Sequence, residues 1–64
     1  MTSFSSKVKD LRNKSKLSQQ ELAKQVQIPQ TTLSDLENGK YEPTLSVAKR
    51  MAVYFDVSLD WLCG

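Results

Sequence analysis

Four polar side chains near the middle of the chain are spaced to share one side of a helix: Gln30, Thr31, Ser34 and Asp35. On a helical wheel of about 100° per residue, they point away from Leu33 and Leu36. Their amide, hydroxyl and carboxylate groups donate and accept hydrogen bonds, which is the chemistry of recognition. The spacing therefore predicts a polar surface that contacts a partner. An ordinary solvent-facing side of a helix is the alternative interpretation.

The residue types that most enzymes need are scarce. The chain has no histidine, which removes imidazole bases, Ser–His and Cys–His pairs, and most zinc sites. Its one cysteine, Cys63, has no partner for an internal disulfide, and we interpret it as an inert thiol in a reducing cytosol. We therefore predict that the protein is not an enzyme and uses no cofactor, metal or small-molecule ligand.

The length and charge of the chain narrow the possible kinds of protein further. The 64 residues, of which 39% are hydrophobic, suffice for one small domain. No apolar run approaches the ~20 residues of a membrane span, and no signal peptide follows Met1, so we expect a cytoplasmic protein without a membrane partner. The net charge is +2, and residues 1–24 hold six basic and two acidic side chains. This basic part suits nucleic acid, although a solvated helix face would give the same pattern.

Start and stop signals predict five helices. Apolar residues at positions 4, 8 and 11 share one face of a first helix, which Thr2 or Ser3 caps. Residues 18–21 form a capping box that begins a second helix, and Pro29 ends it. Gly39 supplies a left-handed end to the third.

Thr44 caps a fourth helix and Ser58 a fifth. No segment alternates with a period of two over the length of a strand. We therefore predict an all-α, compact five-helix domain over residues 1–64.

Within this domain, residues 18–38 predict a helix-turn-helix unit. Two helices of about eight residues are joined by residues 27–29, and Ala23 is small where the second helix crosses. Apolar residues at positions 26, 28, 33 and 36 have the spacing that packs the two helices at a steep angle. Such a rigid pair holds its second helix away from the body, so that the outer face can enter a DNA major groove.

At these residues the chain resembles the Xre/Cro family, the DNA-binding domains of lambdoid phage repressors and their bacterial relatives. The resemblance rests on residues 17–23, 33–39, 43–45 and 54–62 and extends from about Ser5 to Gly64. It implies a phage-repressor-like fold that binds double-stranded DNA as a homodimer on a near-palindromic operator, with dimerisation on DNA as one option. The implied role is a transcriptional regulator of phage or bacterial origin, a repressor before an activator.

The resemblance also assigns roles to single residues. It implies base contacts by Gln30, Thr31, Ser34 and Asp35. It implies phosphate contacts by Gln19, which also braces Gln30, by Asn38 with the backbone near Gly39 and Lys40, and by the Lys40 side chain. Tyr41 either contacts a phosphate or covers the loop. Arg12 and Glu37 match a family pair that forms a partly buried salt bridge.

The last helix allows two interpretations. Trp61 and Leu62 either belong to the core, as is usual at such positions, or contact the second copy of a dimer. The chain ends just past this apolar helix, at Cys63 and Gly64. We expect either that the helix finds a partner or that a longer protein continues beyond it.

Three residues depart from the family pattern. Gln27 replaces a glycine at the turn, which predicts a positive φ, and Pro29 takes the place of a Ser or Thr cap. Asp35 puts an acid on the surface that faces DNA, where it accepts a hydrogen bond from cytosine, binds an arginine of the partner subunit, or repels the phosphates. Asp35 and the modest charge keep a second function open, an antitoxin-like or adaptor module that binds protein.

Overall fold

Five helices make up residues 3–64, the part of the chain that this computed structural model describes. They are α1 (Phe4–Lys14), α2 (Gln19–Gln25), α3 (Gln30–Glu37), α4 (Leu45–Phe55) and α5 (Leu59–Cys63). No strand occurs in this range, so the predicted all-α class is confirmed. None of the described helices is long and apolar enough to cross a membrane.

Side-chain hydroxyl groups begin four of the five helices. Ser3, Ser18, Thr44 and Ser58 each accept a hydrogen bond from the backbone N–H three residues later. Such a cap typically stabilises a helix by about 1 kcal/mol. These caps were predicted, except that the alternative cap Thr2 lies outside the described residues.

The start of α2 is a complete capping box. The Ser18 hydroxyl accepts from the backbone N–H of Glu21 at 3.0 Å, and the Glu21 carboxylate accepts from the backbone N–H of Ser18 at 2.9 Å. Hydrogen bonding to the Glu21 carboxylate by the Ser18 backbone N–H, and to a lesser extent by the Ser18 side chain, lowers the pKa of Glu21. By contrast, Pro29 begins α3 without a side-chain hydrogen bond, and its φ of −62° already suits a helix start.

Helices α1 to α4 all end in the same way. A residue with positive φ follows each helix: Lys16 (57°), Gln27 (62°), Gly39 (75°) and Asp56 (55°). The backbone N–H of the next residue then bonds back to the carbonyl five positions earlier, at 2.8–3.1 Å. The left-handed Gln27 and Gly39 were predicted, whereas Lys16 and Asp56 were not, because lysine and aspartate give no strong signal for this conformation.

All five helices contribute to one apolar core. Its buried members are Val8, Leu22, Ala23, Val26, Leu33, Leu36, Val47, Met51, Ala52 and Leu62. Leu62 is fully buried, so the prediction that its side chain contacts a second copy is wrong. Trp61 precedes Leu62 and points about 100° away from it around the helix axis. The packing that buries Leu62 therefore leaves Trp61 49% exposed.

The left-handed turn at Gln27 gives a test of this backbone. Gln27→Gly should leave the free energy of unfolding unchanged or raise it by up to about 1 kcal/mol, because glycine adopts positive φ without the clash that a Cβ causes. Urea denaturation measures the change. Gln25→Gly is the matched control, since Gln25 lies in right-handed helix and should lose about 0.5 kcal/mol. Equal losses in both variants would show that Gln27 has an ordinary φ.

Candidate nucleic-acid interface

The outer side of α3 is polar and open to solvent. Gln30, Thr31 and Asp35 are exposed and Ser34 is half-buried, while Leu33 and Leu36 are fully buried on the opposite side. The structure therefore brings the four predicted base-contacting residues onto one exposed surface. A helix with its side chains is about 10–12 Å wide, which matches a major groove of about 12 Å.

Close packing on its inner side holds α3 in place. Leu33 and Leu36 pack in the core with Leu22 and Val26 of the preceding helix region, and Ala23 is only 2% exposed beside them. α3 makes its closest contacts with α2 and α1. The polar outer side of α3 therefore belongs to a helix whose inner side is packed in the core.

A buried ion pair fixes the last turn of α3 to α1. Arg12 Nε donates to Glu37 Oε2 at 2.7 Å, and Arg12 Nη2 donates to Glu37 Oε1 at 3.0 Å. The side chains are 13% and 2% exposed, respectively. The hydrogen bond to Glu37 raises the pKa of Arg12, against the opposing effect of burial, so the guanidinium keeps its charge.

The same guanidinium reaches the segment before α2. Arg12 Nη1 donates to the Leu17 carbonyl at 2.9 Å. Gln19 Nε2 donates to Glu37 Oε1 at 3.2 Å, so its amide contacts Glu37, and no hydrogen bond joins Gln19 to Gln30 among residues 3–64. The bracing of Gln30 by Gln19 that the resemblance implied is therefore absent from this structure.

The loop after α3 has a different geometry from the one expected. The backbone N–H groups of Asn38, Gly39 and Lys40 all donate to carbonyls of α3, at 2.8–3.2 Å. These donors already complete the end of the helix, and the phosphate contact expected of this backbone stays a prediction. The exposed side chains of Asn38 and Lys40 remain as donors. Tyr41 is half-buried and packs against the core, which is the loop-covering role.

Two cationic residues with structural contacts were missed at the sequence level. Lys7, to which the sequence analysis assigned no contact, is only 9% exposed and donates to the Trp61 carbonyl. Its place between apolar residues 4, 8 and 11 on one helical face was a usable signal. Arg50 donates to the Gln27 carbonyl at 3.4 Å and to Ser46, which ties α4 to the turn before α3. No sequence pattern indicated this second contact.

The described residues contain no group of His, Cys, Asp or Glu side chains that could hold a metal ion. Cys63 is exposed and unpaired with any cysteine. The chemistry that the outer side of α3 offers is hydrogen bonding by one amide, two hydroxyl groups and one carboxylate.

Comparison with known proteins identifies a family for this arrangement. A family model described as helix-turn-helix matches residues 8–62. The chain is 38% identical over 55 residues to the ImmF control region 10 kDa protein of Bacillus phage phi105. It is 37% identical over 54 residues to an uncharacterized HTH-type transcriptional regulator of Archaeoglobus fulgidus. It is 34% identical over 59 residues to the HTH-type transcriptional activator BcrR of Enterococcus faecalis.

These relatives differ in length. The matches cover 86%, 84% and 92% of this chain, respectively. They cover 61% of the phage protein, 76% of the archaeal regulator and 29% of BcrR. The chain thus spans less than two thirds of the phage protein, and the segment shared with BcrR is a minor part of that activator.

The ion pair behind α3 predicts a large and specific loss of stability. Glu37→Gln should lower the free energy of unfolding by about 3 kcal/mol, because Arg12 would be left buried without its counter-charge. Thermal unfolding followed by circular dichroism measures this loss. Asp10→Asn is the control, since its pair with Lys14 lies at 3.0 Å on the surface and should change stability by less than about 0.5 kcal/mol. Equal melting temperatures for the two variants would contradict a structural role for the buried pair.

Proposed function

The chain belongs to the Xre-type helix-turn-helix family, a family of DNA-binding transcriptional regulators, and from this premise we propose that it binds one specific operator as a homodimer. The operator is a near-palindrome of double-stranded DNA, and the bound dimer acts as a repressor by blocking polymerase. The protein works in the cytoplasm of a bacterial or phage-infected cell. The observation that supports this function best is the exposed polar side of α3 with its inner side anchored by the core and the ion pair.

Base contacts come from the outer side of α3. The exposed Gln30 amide has a donor and an acceptor in one plane, which matches N6 and N7 of adenine. Thr31 follows at the next position, where its methyl group can meet a thymine methyl. Ser34 lies one turn further along the same side, where its hydroxyl group can donate or accept.

Phosphate contacts flank this surface. Gln19 at the start of α2 uses its second amide N–H, and Asn38 and Lys40 after α3 use their side chains. Tyr41 is left with a minor share, because it covers the loop. Each neutralised phosphate adds about 0.9 to the slope of log affinity against log salt. Because Lys40 is the one cation in this set, we expect a moderate slope for each protomer.

Two copies are needed because a single α3 contacts few bases. Recognition helices of a symmetric dimer lie about 34 Å apart, one turn along the same face of the duplex. With Leu62 buried, Trp61 is the residue of α5 that we assign to the contact between copies. BcrR is named as an activator and the phage protein as a control-region protein, so the sense of regulation is a separate question from the binding mode.

Selection from a random duplex pool tests this function directly. We expect the chain to recover a near-palindrome whose half-sites are about one helical turn apart. Recovery at low salt of DNA without a shared sequence would contradict operator recognition by the homodimer. No recovery at low or moderate salt would favour the adaptor function, for which the exposed Asp35 carboxylate and the half-exposed Trp61 are the supporting features.

On the selected operator, Gln30→Ala should lower affinity by about 1–3 kcal/mol per half-site contact and relax the preference at one base pair. The loss follows from removing both hydrogen bonds to the base. A gel-shift titration against single-base variants of the operator measures it. Gln25→Ala removes the same amide from an exposed position outside α3 and should retain both affinity and preference. A uniform loss in both variants would exclude Gln30 as a base contact.

Asp35→Asn separates the functions of the acid on this surface. If the carboxylate accepts from cytosine N4, the variant should change the preferred base at one position per half-site, because asparagine favours adenine. Repeating the selection with the variant measures the change. Tighter binding to every sequence, with the same preferred base, would show that Asp35 repels DNA instead.

A further inference from the structure

Lys7 makes two contacts with one residue of the last helix. Its Nζ donates a hydrogen bond to the Trp61 carbonyl and lies 5.0 Å from the centre of the Trp61 indole ring. Lys7 is 9% exposed, whereas Trp61 is 49% exposed. One buried cation therefore holds both the backbone and the side chain of a residue whose other side faces solvent.

Burying the Lys7 side chain costs hydration free energy, so the groups that compensate for this cost are of interest. A buried ammonium loses hydration, and it is usually paired with a carboxylate. Among residues 3–64 no carboxylate forms a salt bridge with Lys7. The Trp61 carbonyl and the face of the indole are its partners instead, and a desolvated cation over an indole is a strong form of this contact.

Helix α5 depends on contacts of this kind. It has five residues, and a helix this short is not stable by itself. Leu62 anchors it in the core and the Ser58 hydroxyl caps its start. Neither of these contacts restricts the indole of Trp61, which the Lys7 ammonium does.

The size of the domain indicates why a fixed indole matters. The Cα atoms span 25 × 23 × 21 Å. The spacing of about 34 Å between two recognition helices exceeds each of these extents, so we expect two copies on one operator to meet over a small contact. A small contact gains most from a side chain that is already ordered before binding.

We propose that Lys7 is a positioning residue that holds the Trp61 indole in place as the docking surface for a second copy on DNA. The inference rests on the proposed dimer. Lys7 itself stays buried and contacts neither the partner nor the DNA.

The test uses Lys7→Met, Lys7→Arg and Lys9→Met. Lys9 is an exposed residue of the same helix, so Lys9→Met removes the same charge without touching Trp61. Trp61 is the single tryptophan, and its fluorescence therefore reports on this contact in the free protein. Acrylamide quenching should increase in Lys7→Met, stay unchanged in Lys9→Met, and return towards the original value in Lys7→Arg. Circular dichroism verifies that each variant is folded.

Pairing on DNA is the second readout. For each variant, the affinity for the two-half-site operator is divided by the affinity for one isolated half-site. Lys7→Met should lower this ratio about tenfold, the scale expected for one cation–π contact and one charged hydrogen bond. Lys9→Met should leave the ratio unchanged. In a Trp61→Ala background, Lys7→Met should have no further effect, because Lys7 acts through Trp61.

The outcomes separate this inference from the proposed function. If the unmodified chain gains nothing from the second half-site, the dimer proposal is wrong, and the role of Lys7 is overturned with it. If the chain pairs but Lys7→Met and Lys9→Met give equal ratios, only the role of Lys7 is overturned. Altered quenching in Lys7→Met with an unchanged ratio also overturns it, since the contact then serves stability alone.

Discussion

The exposed side of α3 depends on the buried ion pair between Arg12 and Glu37. α3 has eight residues, and two leucines form its buried apolar side, which is little area to hold a helix whose other side must stay open. The bidentate pair adds two directional bonds at the last turn, and the third guanidinium bond reaches the Leu17 carbonyl. One cation thus sets the positions of α1, α3 and the start of α2. A buried pair contributes more to such geometry than to net stability, because its desolvation cost is high.

The left-handed ending shared by α1 to α4 also fixes how neighbouring helices are placed. Each left-handed residue turns the chain sharply, and the residue that follows returns to the core in three cases, Leu17, Ile28 and Val57. Short connections then suffice to join helices at steep angles. After α3 the following residue is Lys40, which stays exposed. Lys40 therefore leaves a cation beside the polar side of α3. The backbone N–H groups of the same loop donate to carbonyls of α3.

Local chemistry made much of the fold predictable. Hydroxyl caps, the capping box, Gly39 and the apolar spacing act within a few residues, so the sequence carries them directly. The partnership of Arg12 and Glu37, 25 residues apart in sequence, came from the resemblance and not from any spacing rule. The sequence did not predict the contacts that depend on how helices approach each other, which are Gln19 with Glu37, Arg50 with Gln27, and Lys7 with Trp61. The sequence left Leu62 open between the core and a dimer contact for a related reason, since the rotation of a five-residue helix is set by its packing.

The distribution of charge separates affinity from selectivity in this domain. α3 carries no basic residue, and its two acids are Asp35, which is exposed, and Glu37, whose charge is matched by Arg12. The outer side of α3 is therefore net negative and gains no general attraction to phosphates. Attraction must come from Lys40 and from cations on the other helices, at a greater distance from the bases. In the proposed dimer, affinity for one sequence therefore depends on hydrogen bonding by α3 and on the second copy. This distribution of charge supports the proposed selectivity for one operator more than tight binding to DNA in general.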